Sequence, residues 1–240
     1  MKFSNNFLFR KLHQLTGIVP LGLFFFVHMF TNAKAMNGDK VFNDAVADIH
    51  HLPFLIFIEV FGIFLPLLYH SVYGIFISAE AKINVGNYGY GRNWLYVFQR
   101  ITGIFLFFFI LFHLLHLRFG LFGGFDLTSV AVAGNADRAY SIVAGDFKSV
   151  GILLFYILGV GATAWHLGYG LFLFAVDWGI VIGEKAQKAM LYLSAAIAIG
   201  LFAVGTNAAF SFVRPCGLVP QILCESEKSG TSVTPGSKKF

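Results

Sequence analysis

The sequence predicts an all-α integral membrane protein built as a bundle of five transmembrane helices. Of the 240 residues, 57% are hydrophobic and only 12% are charged, and the mean hydropathy is +0.73. A soluble domain carries roughly 25% charged residues. This chain has too little polar surface to face water on all sides, so we expect it to lie in a membrane.

Five apolar runs are each long enough to cross the hydrocarbon core, which takes about 20 residues of helix. We number them the first to fifth spans, predicted over residues 12–33, 52–79, 101–117, 150–174 and 190–213. The first run is longer than the apolar part of a signal peptide, so we expect it to be retained. Residues 1–213 are thus predicted to form one transmembrane domain, followed by a polar, disordered tail over 214–240.

The distribution of basic residues predicts the orientation. They lie scattered at the ends of the apolar runs, so the net charge of +5 does not indicate nucleic-acid binding. The N-terminus and the loop before the third span carry Lys and Arg, and the loop before the fifth span carries Lys. The positive-inside rule makes their shared side the cytoplasm. The C-terminus then lies outside. Whether Cys216 and Cys224 in the tail form a disulfide stays open.

The first four spans each contain a histidine: His28, His70, His113 and His166. A single histidine in a span is often a buried one bonded to a neighbouring helix, but ionisable groups in four consecutive spans indicate a function. His28 and His113 lie near the outer ends of spans that run outward. His70 and His166 lie deeper, in spans that run inward. The sequence therefore predicts two pairs at two levels, about 15 Å apart.

Two facing imidazoles at one depth in an apolar, aromatic bundle suit a bis-histidine haem b. His28 and His113 are then the predicted ligands of an outer haem iron, and His70 and His166 those of an inner one. Zinc is the competing metal, but a structural zinc site usually gathers four ligands at one level. Two histidines a level, with no cysteine in the spans, favour haem.

Two short repeats support the same arrangement. "YHSVYG" at 69–74 and "WHLGYG" at 165–170 place Gly74 and Gly170 four residues after a histidine, on the same helix face. We predict that these glycines let a flat macrocycle approach the backbone, although small residues also serve close helix packing. The second repeat, "LTGI" at 15–18 and "ITGI" at 101–104, precedes the two outer histidines. The first four spans therefore resemble two related halves.

Other polar side chains are candidates for supporting roles. Glu59 is a carboxylate inside the second span, and it is either a proton donor or acceptor for a quinone near the outer haem or a neutral acid bonded to another helix. Arg10, His13 and Arg100 lie at the inner ends of the first and third spans. They would pair with haem propionates or a soluble partner, or anchor the spans at the interface. His116, three residues after His113, is expected to face the outer haem or its propionates.

Four stretches and two histidines resemble the di-haem cytochrome b membrane anchor of succinate dehydrogenase and fumarate reductase, in its single five-helix form. The histidines are His113 and His166, and the stretches are "FRKLHQLTGIVPLGLFFFVH" at 9–28, "EVFGIFLPLLYHSVYGIFI" at 59–77, "RNWLYVFQRITGI" at 92–104 and "FAVDWGI" at 174–180. The resemblance covers residues 7–213 and not the tail.

The resemblance implies a heterotrimer in a bacterial cytoplasmic membrane, with room for a dimer of heterotrimers. A flavoprotein subunit with FAD and an iron–sulfur subunit would bind the cytoplasmic face. Electrons would pass between the iron–sulfur clusters and menaquinone through two b-haems held by the four histidines. No succinate chemistry is expected on this chain itself.

Three alternatives remain open from the sequence. The same complex would work in the opposite direction as a fumarate reductase. A di-haem cytochrome b of a hydrogenase or formate dehydrogenase would share the haem chemistry and differ in its partners. A transporter or purely structural anchor would not require haem at all.

Overall fold

The computed structural model describes residues 7–121, 132, 134–214 and 217–218. Within these residues every regular element is helical, which confirms the all-α prediction. Both cysteines, and the tail from residue 219 onward, lie outside the described residues. The pairing of Cys216 with Cys224 therefore stays open, and the disorder of that tail stays a prediction.

The α-helices of the described residues follow one another with short 3₁₀ and π segments between some of them. In chain order they are α1 (Phe7–Ile18), α2 (Pro20–Ala33), α3 (Asp39–His50), α4 (Leu55–Phe57), α5 (Leu65–Ala79), α6 (Gly91–His113), α7 (Ala139–Asp146), α8 (Val150–Asp177) and α9 (Glu184–Ser211).

Five helices are long and apolar enough to cross a membrane, in agreement with the predicted number. They are Phe7–Asn37, Leu55–Ala79, Gly91–Arg118, Val150–Asp177 and Glu184–Ser211. The third helix begins ten residues before the predicted start at Ile101, because its first turns carry polar residues such as Asn93 and Arg100. Apolar runs mark the part of a helix that lies in hydrocarbon, whereas the helix itself continues into the interface.

The outer surface of the bundle is apolar, as a lipid-facing surface must be. Large side chains that are more than half exposed occur along the spans, for example Leu23, Phe30, Phe108, Leu158 and Ile199. The interior is formed largely by aromatic rings and small residues, so helix association depends on close packing.

The first span is interrupted at Val19, where α1 meets α2. Pro20 has no backbone N–H and its ring crowds the preceding turn, which interrupts a helix. The chain continues in helical conformation, because the N–H of Val19 donates to the Leu15 carbonyl at 2.9 Å and that of Leu23 donates to the Val19 carbonyl at 3.4 Å. The interruption therefore leaves a single span.

Two spans contain π-helical segments near the end of the bundle opposite to the N-terminus. One is Ile58–Phe64 in the second span and the other is Leu114–Arg118 in the third span. A π segment changes the register of the side chains that follow it. Glu59 lies in one of these segments, so its helix face relative to His70 cannot be counted at 3.6 residues per turn.

Two short helices, α3 and α7, lie between the spans at that opposite end. Phe42 of α3 is buried against the rings of Tyr140 and Phe212, at centroid distances of 6.2 and 5.1 Å. The side-chain oxygen of Asn43 accepts a hydrogen bond from the Tyr140 N–H at 2.8 Å. These contacts join α3 to α7 and to the end of the fifth span.

At the N-terminal end, the first and fourth spans are tied by polar side chains. The Lys11 ammonium donates to the Asp177 carbonyl at 2.7 Å, and the Gln14 amide donates to the Asp177 carboxylate at 2.5 Å. The Trp178 indole N–H donates to Gln14 Oε1 at 3.0 Å. Two of the stretches that carry the family resemblance thus meet here.

The fourth and fifth spans pack with backbone nearly touching backbone. A Cβ added at Gly168 would lie 2.7 Å from the Cβ of Ala198 and 2.9 Å from the carbonyl oxygen of Ser194. Only glycine fits this crossing without moving one of the helices.

We therefore expect Gly168→Val to separate the two spans and to lower the free energy of unfolding by about 1–3 kcal/mol, the usual range for overpacking. Gly200→Val is the matched control, because a Cβ there would meet nothing within 4 Å. Thermal unfolding of the purified protein in detergent measures both. Equal midpoints for the two variants would contradict the packing described.

Candidate functional site

The structure brings His70 and His166 together near the N-terminal end of the bundle. Their ring centroids are 6.3 Å apart and the ring planes are nearly perpendicular, at 84°. His28 and His113 meet in the same way at the other level, with centroids 5.8 Å apart and planes again at 84°. These are the two pairs that the depth of the histidines predicts.

The separations suit two imidazoles that share one iron. A metal–imidazole bond is about 2.0 Å long, so two nitrogens on opposite sides of a metal ion stand about 4 Å apart. The ring centroids lie further back by one ring radius on each side, which brings the expected separation close to those of the two pairs. Among the described residues no three His, Cys, Asp or Glu side chains gather into one group. This donor set fits bis-histidine haem better than a structural zinc site.

Hydrogen bonds orient the first pair. His70 Nδ1 lies 2.9 Å from the His13 carbonyl oxygen, which can only accept, so Nδ1 carries the proton and Nε2 is left for a ligand. His166 Nδ1 lies 3.3 Å from the Thr102 hydroxyl. That hydroxyl donates to the Phe98 carbonyl at 2.8 Å, so it accepts from His166 Nδ1 and leaves Nε2 of His166 free as well.

Glycines of the "TGI" repeat set the distance between these histidines and the neighbouring spans. A Cβ on Gly17 would collide with Cε1 of His70, and a Cβ on Gly103 would lie 3.0 Å from Cε1 of His166. The repeat is visible in the sequence, but the role of its glycines is not. Their role depends on the distance between each glycine and a histidine ring on another span, and the sequence does not give that distance.

Gly74 and Gly170 have a related role in the structure. A Cβ on Gly74 would lie 3.1 Å from Cε1 of His13, and one on Gly170 would lie 3.5 Å from the amide nitrogen of Gln99. Close packing against His13 explains Gly74, whereas the contact at Gly170 is an ordinary van der Waals distance that does not require glycine. That they also make room for a macrocycle stays a prediction.

The basic residues at the N-terminal end differ in their surroundings. The His13 ring stacks on the His70 ring at 4.1 Å, and its Nδ1 is buried without a hydrogen-bond partner in the described part of the chain. Arg100 turns back along its own helix, donating to the Tyr96 carbonyl at 3.0 Å and lying over the Tyr96 ring. Arg10 is exposed at this end of the bundle. Of the three, His13 lies directly against the histidine pair.

Aromatic rings surround the second pair. Phe24 packs against His28, and Phe109 stacks on His113 with centroids 6.1 Å apart. The hydroxyl of Tyr156, from the fourth span, lies 3.4 Å from His113 Nδ1 and is placed to hold the orientation of that ring. Tyr156 was not singled out by the sequence.

Glu59 and Arg118 form an ion pair beyond the second pair of histidines. The Arg118 guanidinium donates to Glu59 Oε2 at 2.8 Å, and the Glu59 side chain is 17% exposed. Arg118 lies five residues after His113, or about one and a half turns further along the helix. Glu59 therefore lies inside the bundle near the level of His28 and His113. Its partner is the Arg118 guanidinium and not an uncharged group of another helix.

Comparison with known proteins agrees with this arrangement. The family model described as the succinate dehydrogenase/fumarate reductase transmembrane subunit matches residues 81–206, which include the third and fourth spans. The succinate dehydrogenase cytochrome b558 subunit of Bacillus subtilis (strain 168) is 39% identical over 213 residues, which cover 89% of this chain and 100% of that protein. The chain belongs to the succinate dehydrogenase/fumarate reductase transmembrane subunit family.

Proposed function

We propose that this chain is the membrane anchor and electron-transfer subunit of a succinate:menaquinone oxidoreductase. Membership of the family and five membrane-crossing helices support the role of anchor. The observation that carries the role in electron transfer is the presence of two facing histidine pairs at two depths of one bundle. No other arrangement of polar groups in the described spans has this regularity.

The four histidines are proposed to hold two b-type haems. Two such haems, when bound, would supply iron that changes oxidation state at two depths of the membrane. His70 and His166 would hold the inner group and His28 and His113 the outer one. The His13 carbonyl and the Thr102 hydroxyl keep the ligating nitrogens of the inner pair deprotonated and correctly turned.

The N-terminal end of the bundle is proposed to face the cytoplasm and to bind the partner subunits. Arg10, Lys11 and Arg92 lie at this end, and Lys185 and Lys188 begin the fifth span there. An iron–sulfur subunit, with the FAD-containing flavoprotein beyond it, would bind this basic surface. The assembly would be a heterotrimer, and a dimer of heterotrimers is compatible with it.

The opposite end of the bundle is proposed to bind menaquinone. Quinone reduction consumes two protons for two electrons, so its site needs polar groups beside an electron donor. Glu59 lies at this end near the second histidine pair, and Arg118 balances its charge. We assign Glu59 to proton transfer with the quinone.

The most direct test of the function is purification of the affinity-tagged chain from the native membrane in a mild detergent. We expect a flavoprotein and an iron–sulfur protein to co-purify, and the complex to reduce a naphthoquinone with succinate. The ratio of that rate to fumarate-driven hydroquinone oxidation distinguishes a dehydrogenase from a reductase. Co-purification with a hydrogenase or formate dehydrogenase subunit would contradict the proposal.

The ligand assignment predicts selective losses. His70→Ala and His113→Ala should each remove about one of two b-haems, measured by dithionite-reduced minus oxidised spectra and haem extraction. His51→Ala is the matched control, because His51 is exposed at the end of α3. Full haem content in either ligand variant would overturn the assignment of that residue.

A further inference from the structure

A buried carboxylate–histidine pair lies at the opposite end of the bundle, apart from the four proposed ligands. His116 Nε2 is 2.8 Å from Asp146 Oδ2, and the two side chains are only 1% and 2% exposed. His116 belongs to the third span, whereas Asp146 is the last residue of α7, a helix outside the membrane-crossing segments. Burying such a pair costs desolvation free energy, which is offset only by good geometry and further hydrogen bonds.

The hydrogen bond fixes which nitrogen of His116 carries the proton. A carboxylate only accepts, so Nε2 carries a proton, and Nδ1 is a hydrogen-bond acceptor in the neutral form of the ring. Nδ1 is buried and has no hydrogen-bond partner among the described residues. The Phe112 ring stacks on the face of the His116 ring, with centroids 5.6 Å apart, and so does not cover the ring edge that carries Nδ1. An acceptor held in place inside a membrane protein, with nothing to accept from, indicates a ligand that donates.

The backbone around this pair is unusual in the same place. His116 lies in the π-helical segment Leu114–Arg118, and Glu59 lies in the π-helical segment Ile58–Phe64. The Glu59–Arg118 ion pair joins the two segments. Short π segments inside α-helices occur frequently at functional sites, so this is an observation independent of the hydrogen bond.

The charged side chains at this end of the bundle favour a neutral ligand beside His116. Asp146 and Glu59 are anionic, and Arg118 is the cation that pairs with one of them. A further carboxylate, such as a haem propionate, would bring a second negative charge close to the buried Asp146. A hydroquinone brings a neutral hydroxyl donor of the kind that His116 Nδ1 can bind.

We propose that His116 is a binding residue for the hydroquinone and that Asp146 is its positioning residue. His116 Nδ1 accepts the hydrogen bond of one hydroquinone hydroxyl, and Asp146 holds the imidazole in the tautomer that makes this bond. The inference rests on the proposed quinone site and adds the residues that recognise the reduced form.

The test uses the whole complex and compares Asp146→Asn with wild type. The amide can donate as well as accept, so it releases the imidazole tautomer. We expect the KM for a short-chain naphthohydroquinone, in fumarate-driven oxidation, to rise about threefold to tenfold, the value of one hydrogen bond. Succinate oxidation by a water-soluble dye should keep its kcat. Asp44→Asn, which alters an exposed ion pair with Lys40 at the same end, is the matched control and should change neither.

His116→Gln is the second variant, used together with Asp146→Asn and decisive alone if that one fails to fold. It should raise the same KM while both haems stay bound. An unchanged KM with a lower unfolding temperature would mean that the pair only fastens α7 to the bundle. An unchanged KM with a shifted midpoint potential of one haem would mean that His116 serves a propionate. Either result overturns the proposal, whereas absence of dye-linked succinate oxidation from the wild-type complex would instead contradict the proposed function.

Discussion

The facing of two imidazoles at each of two depths is the constraint on which the rest of this structure depends. Each pair joins two helices that run in the same direction, and the helices of one pair run opposite to those of the other. The lengths and tilts of four spans must therefore satisfy both levels at once. At the inner level, Gly17 and Gly103 let the backbones of the first and third spans approach the rings of His70 and His166. Beyond Pro20, α2 continues to the outer level, where His28 meets His113.

The inner level has an approximate two-fold repeat with one difference. Gly17 and Gly103 occupy equivalent positions, and four residues before them stand His13 and Gln99, which lie over Gly74 and Gly170. The two halves therefore use the same backbone approach with different polar side chains. His70 is oriented by a main-chain carbonyl, which only accepts, and His166 by a hydroxyl that is shared with its own helix. The two ligands of the proposed inner haem are thus held with unequal strength.

Sequence reasoning predicted the fold class, the number of spans and the two histidine pairs, because hydropathy and helical rise are properties of single helices. It did not predict what depends on contacts between helices. The roles of Gly17 and Gly103 depend on histidine rings that lie on neighbouring helices. The partner of Glu59 depends on where Arg118 lies across the bundle. The pair of His116 with Asp146 depends on α7, a helix in a segment whose composition resembles a loop. The π segments also leave no local sequence signal, although they alter every face relation that crosses them.

Electron paramagnetic resonance of the oxidised complex tests the central claim most directly, because it reports the angle between the two imidazole planes on each iron. The ring planes of both pairs stand at 84°. We therefore expect two low-spin ferric signals, each with the strong anisotropy that perpendicular imidazole planes produce. The signals should titrate separately with potential. Absence of low-spin ferric signals, a single signal, or the rhombic pattern of parallel planes would contradict the account of two histidine pairs that each hold one haem.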